Sequence, residues 1–123
     1  MKAAISATGP GVDAKVDEHF GRCPYLVFVD VNNMEAESIS NPGAASQGGA
    51  GIAAAQAVVN KGIKVVITGN VGPNAYEVLS KAGVKVFGNA SVSVKEAIEA
   101  FRSGKLKEVA GPTAKGHAGQ GRG

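Results

Sequence analysis

From residue 51 onward the chain alternates between helical and strand patterns, and this alternation restricts its fold more than any other feature. Gly72-Pro73 opens one predicted helix, with proline at the first helical position. Ala75, Val78, Leu79 and Ala82 then fall at i, i+3, i+4 and i+7, and Gly83 closes it. A further helix starts at Ser93, where Glu96 completes a capping box. Val94, Ala97, Ile98 and Phe101 repeat the spacing, and Gly104 ends it. The alanine-rich stretch from Gly51 to Lys61 reads as an earlier helix, buried on more than one side. Between helices lie the β-branched runs 64–68 and 84–87. Strands separated by helices call for right-handed crossovers and parallel pairing.

The N-terminal third differs. Lys2 to Ala7, Tyr25 to Val31 and Glu35 to Ser40 read as three strands. Asn32-Asn33 can adopt positive φ and predicts a tight hairpin between the last two. The polar run from Glu35 to Ser40 belongs at a sheet edge, where charges discourage aggregation. The element order is thus β-β-β-α-β-α-β-α, an α/β fold with a mixed five-stranded sheet. Aromatic residues make up only 5% and tryptophan is absent, so the core rests on Ala, Val, Ile and Leu.

A chain of 123 residues fits one domain. Residues 1–104 carry nine Lys/Arg and nine Asp/Glu, so the net charge of +3 comes from the C-terminal end. The expected division is a single α/β domain over 1–106 and a disordered, Gly-rich basic tail over 107–123. Four basic residues in that end are too sparse to predict a nucleic-acid partner. The single cysteine, Cys23, excludes an intramolecular disulfide and fits a reducing compartment. The N-terminus lacks the apolar run of a signal peptide or membrane span, so a cytoplasmic protein with no membrane partner is expected.

The loop from Thr8 to Pro24 is long for a connection between paired strands. Within five residues it gathers His19, Arg22 and Cys23. Imidazole and thiolate suit borderline metals and iron–sulfur centres, and an adjacent guanidinium can neutralise an anionic cluster. Gly21 lets the backbone approach a bulky ligand. The competing reading makes Cys23 a small buried residue and His19 a loop hydrogen-bonder. Two ligands do not close a metal site, so a bound centre needs others from a second chain or from the cofactor itself. A Cys–His nucleophile pair lacks any identifiable orienting residue.

A second candidate is Thr68-Gly69-Asn70-Val71-Gly72-Pro73, which joins a parallel strand to a helix N-terminus. Ligands commonly bind there, and helix N-termini attract anions. Gly69, Asn70 and Gly72 are therefore candidate cofactor-binding residues, although a tight turn explains the glycines equally. The segment matches neither a P-loop nor G-x-G-x-x-G. The Gly48-Gly49-Ala50-Gly51 run reads as a flexible entry to a helix, either a cradle for an anion or, more simply, a linker, and His117 as a solvated tail histidine, at most an auxiliary ligand.

Four stretches together resemble the dinitrogenase iron–molybdenum cofactor biosynthesis family. They are His19-Phe20-Gly21-Arg22-Cys23-Pro24-Tyr25, Asn41-Pro42, Gly48-Gly49-Ala50-Gly51-Ile52 and Val66 to Ala75. The likeness covers roughly residues 1 to 110 in the same order and spacing. It implies a ribonuclease H-like three-layer fold and the handling of an iron–sulfur or iron–molybdenum type cluster. It also implies a protein that donates or receives the metallocofactor. The resemblance also makes the histidine of the H-F-G motif, here His19, a candidate ligand, with Cys23 as a possible second metal ligand at a position often occupied by alanine. Some relatives carry histidines near residues 45–49, where this chain has Ala45-Ser46-Gln47-Gly48-Gly49.

The expected function is a non-enzymatic binding or carrier protein for such a metallocofactor, with His19, Gly21, Arg22, Gly69, Asn70 and Gly72 forming its site. The alternative is a sensor or adaptor that binds a small anion or another protein through the Gly-rich loops. A ribonuclease H-like nuclease fits less well, because two-metal catalysis needs clustered carboxylates and the first strand carries none.

Overall fold

The computed structural model describes residues 1–45, 48–88 and 90–113. Eight elements follow the expected order: β1 (Lys2–Ala7), β2 (Tyr25–Asp30), β3 (Ala36–Ser40), α1 (Ala50–Asn60), β4 (Val65–Ile67), α2 (Pro73–Lys81), β5 (Lys85–Phe87) and α3 (Val94–Arg102). The strands form one sheet in the order β3-β2-β1-β4-β5. The β1–β2 and β2–β3 pairs are antiparallel, whereas β1–β4 and β4–β5 are parallel. It follows that β1, β3, β4 and β5 all point the same way. The crossovers through α1 and α2 step in the same direction across the sheet. A common handedness therefore lays both helices on one face.

Side-chain alternation along the strands divides the core in two. Ala4, Leu26, Phe28, Val66 and Val86 face α1 and α2, packing against Ala54, Ala55, Val58, Ala75 and Leu79. Ala3, Ile5, Val27, Val29, Val65 and Ile67 face the opposite way, onto Val94, Ala97 and Ile98 of α3. The molecule thus has three layers. With few aromatic residues, close approach supplies the packing. A Cβ added to Gly51 in α1 would lie 3.1 Å from the Ala75 Cβ in α2, so small residues bring the two helix N-termini together.

The helix boundaries follow the expected capping chemistry. Proline occupies the start of α2 and the Ser93/Glu96 capping box is complete. Gly83 and Gly104 take positive φ beyond the last turns of α2 and α3. On the edge strand β3, Glu37 accepts from Lys61 Nζ at 2.8 Å, and the ammonium lies 5.4 Å from the Phe28 ring centroid.

Two expectations are corrected. The hairpin between β2 and β3 does not place positive φ at Asn32 or Asn33; Met34 takes it, at 65°. The reason is local hydrogen bonding. Asn33 Oδ1 accepts from Glu35 N at 2.9 Å and Asp30 Oδ1 accepts from Asn32 N at 2.8 Å. Met34 N closes the turn on Asp30 O. Nor does an unstructured tail begin at residue 107. Glu108 bridges Phe87, and Val109 N donates to Val86 O at 2.8 Å while its side chain joins the α1/α2 core. Residues 107–113 thus run as a strap from the edge of β5, held by backbone pairing that composition does not reveal. The rest of the expected tail, with His117, lies outside the described residues, as do Ser46 and Gln47.

Candidate functional site

Because β1, β3, β4 and β5 run in parallel, the loops that follow them meet at one end of the sheet, together with the segment leading into β2. This is where open α/β folds place their ligands. A buried hydroxyl network ties the loops to the strands. Ser6 Oγ donates to Asp17 O at 2.8 Å and lies 2.7 Å from Thr68 Oγ1. Both side chains are buried. The segment around His19 then lies beside the β4–α2 loop. Asn70 N donates to Glu18 O at 2.7 Å and Phe20 N donates to Asn70 O at 3.2 Å. Gly69 makes this approach possible, since a Cβ there would stand 2.7 Å from Glu18 Cα. Phe20 is buried in the α1/α2 core, and its neighbours His19 and Gly21 turn outward in alternation.

The result is an open cleft of about 250 Å³. His19, Gly21, Arg22, Asn70 and Gly72, five residues expected from the sequence, line it. Gly69 does not; it sits behind the wall, against Glu18. Gly21 lines the cleft, but its missing Cβ serves a different neighbour. A Cβ at that position would lie 2.8 Å from both N and Cα of Gly51, so glycine there admits α1 rather than a ligand.

The start of α1, which the sequence left between an anion cradle and a plain linker, contributes to the cleft. Ala50 and Gly51 form one wall, facing Pro73, Asn74 and Ala75 of α2. Two helices therefore begin at the same cleft. Their N-cap residues are Gly49 and Gly72, neither supplies a side-chain cap, and neither helix carries an acid in its first turn. Helix starts leave backbone N–H groups without intrahelical acceptors and carry roughly half a positive charge each. Arg22 adds a full charge and His19 an imidazole with 70% of its side chain exposed. Asp17 Oδ1 accepts from His19 N at 2.8 Å and stands 3.7 Å from its Nδ1, so the carboxylate holds the backbone at His19 and makes no direct ring hydrogen bond. The arrangement favours an anion.

Cys23 is not part of this surface. It is buried among Phe20, Leu26 and Ala54, and its thiol donates to Phe20 O at 3.1 Å. Burial, aided by the charge of Asp17, pushes the thiol up to about 12. The expectation of a His19/Cys23 ligand pair is therefore corrected: the structure brings His19 to the cleft and leaves Cys23 in the core, where a small apolar residue fits. Among the described residues no group of three or more His, Cys, Asp and Glu could hold a metal ion.

This burial has a measurable consequence. In the folded chain the proton stays on Cys23 above the pH at which the unfolded thiol releases it. The unfolded state then binds fewer protons, so stability falls as pH rises from about 9 towards 12. Urea unfolding of Cys23→Ala should show a shallower decline over that range than the unsubstituted chain. An identical slope in the two proteins would contradict the burial of the thiol.

Comparison with known proteins agrees with this architecture. The family described as "Dinitrogenase iron-molybdenum cofactor" matches residues 1–104. The apo form of the orange protein from Desulfovibrio gigas superposes with a TM-score of 0.88 and 39% identity, over 92% of this chain and 96% of that one. A Thermotoga protein solved by NMR gives a TM-score of 0.78 and 34% identity, over 92% and 97%. The Methanocaldococcus jannaschii protein MJ0580 is 33% identical over 111 residues, spanning 88% of this chain and 91% of its own length. Likeness of this extent shows that the chain belongs to the dinitrogenase iron–molybdenum cofactor family.

Proposed function

We propose that this chain is a non-enzymatic binding or carrier protein whose cargo is an anionic metallocofactor of the iron–sulfur or iron–molybdenum type. The observation that carries this reading is the convergence of two helix N-termini, Arg22 and His19 on one open cleft. Among the described residues His19 is the one lining side chain suited to bind a metal, and one imidazole does not close a metal site. The cargo that fits is accordingly a preassembled cluster that brings its own sulfide ligands and a net negative charge. The helix starts and Arg22 hold that charge, with Gly21, Asn70 and Gly72 supplying backbone surface and Gly69 supporting them from behind. Openness suits cargo that enters and leaves, hence a donor or recipient protein as partner.

The family's association with the iron–molybdenum cofactor and the orange protein's description as an apo form support the reading. The strand order, with three layers, supports the ribonuclease H-like assignment of the fold. The described residues include no helix long and apolar enough to cross a membrane, and a cytoplasmic location is part of the proposal. The nuclease alternative draws no support from the described carboxylates. The small size of the cleft favours one second reading, a sensor or adaptor for a simple anion such as phosphate.

Anaerobic incubation with tetrathiomolybdate, or with ferrous iron and sulfide, followed by desalting, separates these readings. The unsubstituted protein should retain visible charge-transfer absorption, and Arg22→Ala or His19→Ala should weaken retention about tenfold or more. A colourless protein after desalting would overturn the carrier reading. Thermal stabilisation by phosphate alone would then favour the adaptor.

A further inference from the structure

We infer that the strap of residues 107–113 is a positioning element of the cleft, with Thr113 as the residue that sets the direction of the α2 N-terminus. The inference rests on the reading of the cleft as an anion site and adds to it a part of the chain beyond the family match, which ends at residue 104.

The strap leaves the edge of β5, where Val109 is anchored by its backbone and by packing into the core. Gly88 makes room for it, since a Cβ there would lie 3.0 Å from Val109 Cγ1. The strap then reaches the β4–α2 loop. Thr113 N donates to Val71 O at 2.8 Å, and Thr113 Oγ1 accepts from Val71 N at 2.9 Å. Val71 is buried and is the residue immediately before Gly72, the N-cap of α2.

These two bonds fix two successive peptide planes. In the Asn70–Val71 peptide, the carbonyl accepts from Phe20 N on the His19 side and the N–H donates to Thr113 on the strap side. That plane is held at both ends, between the two walls of the site. In the Val71–Gly72 peptide, the carbonyl accepts from Thr113 N. The first N–H groups of α2 follow directly from these planes. Because a backbone donor holds an anion only when aimed at it, fixing the planes fixes the donors. Proline at the start of α2 supplies no N–H, which leaves Asn74 and Ala75 as the donors that this orientation aims.

The test uses full-length Thr113→Ala and Thr113→Ser, compared with the unsubstituted chain by NMR amide exchange and by tetrathiomolybdate titration. Alanine should speed exchange of the Val71 amide about tenfold or more and shift the amide resonances of Gly72, Asn74 and Ala75. It should also weaken tetrathiomolybdate binding by about threefold to tenfold. Serine, which keeps the acceptor oxygen, should restore all three. Unchanged Val71 exchange, or changes confined to Val71 with Asn74 and Ala75 unmoved, would overturn the inference. So would faster exchange with unaltered affinity. If the unsubstituted protein fails to bind tetrathiomolybdate, the carrier reading falls; amide exchange and shifts in the free protein then decide the positioning role by themselves.

Discussion

Gly21→Ala is expected to destabilise the fold by about 1–3 kcal/mol and, in the same step, to weaken anion binding at the cleft. The added methyl would meet backbone, with Gly51 N and Cα at 2.8 Å and Ala50 C at 3.3 Å, and no side-chain rotation can relieve that contact. Either the segment bearing His19 and Arg22 withdraws or the start of α1 moves, and both of these are walls of the cleft. Affinity for tetrathiomolybdate should therefore fall together with the unfolding midpoint. Gly72→Ala is the matched control. Gly72 has an extended φ of −80°, and a Cβ there meets nothing within 4 Å, so its stability should change by about 1 kcal/mol or less, the difference between glycine and alanine as an N-cap. Equal stabilities for the two variants in urea unfolding would contradict the packing described for Gly21.

Asn41→Ala should have a comparable or larger effect, about 2–5 kcal/mol, because it leaves three backbone groups without their partner. Asn41 is 4% exposed. Its Nδ2 donates to Gly21 O at 3.0 Å and to Cys23 O at 2.8 Å, while Oδ1 accepts from Gly43 N at 2.9 Å. Its own N–H donates to Pro24 O at 3.0 Å. One amide side chain thereby joins the segment before β2 to the segment after β3. The conformation of residues 21–23 depends on it. Calorimetry reads the expected fall in Tm, which for a domain of this size amounts to roughly 4 °C per kcal/mol. A drop of less than about 2 °C would show that water or rearranged backbone replaces these bonds.

The sequence made the helices and strands legible because their signals are local. Proline after Gly72, the Ser93/Glu96 pair and the glycines at 83 and 104 each fix a boundary within a few residues of themselves. The same locality brought His19 and Asn70 into view, since each lies in a loop that chain order alone places at one end of the sheet. What was not legible depends on distant neighbours. Asn41 stands in a recognisable dipeptide, yet its partners at 21 and 23 follow from the pairing of β2 with β3. Cys23 reads alike as ligand or as core until Phe20 is known to point inward beside it. The strap carries little apolar mass, and its pairing with Val86 and Val71, together with Val109 packed on the core, gives it structure. The start of α1 read equally as an anion cradle or a linker because its role needs α2 alongside, a contact made through Gly51 and Ala75, which carry no chemistry of their own.

The most direct test of the central claim is the metal and acid-labile sulfide content of this protein purified without oxygen. The account predicts iron or molybdenum together with sulfide, near one cluster per chain after expression with cluster-assembly capacity. It further predicts loss of most of that content in the His19→Ala/Arg22→Ala double variant, whose fold by circular dichroism is unchanged. Protein that is free of both metal and sulfide, or a double variant that retains the full content, would contradict it.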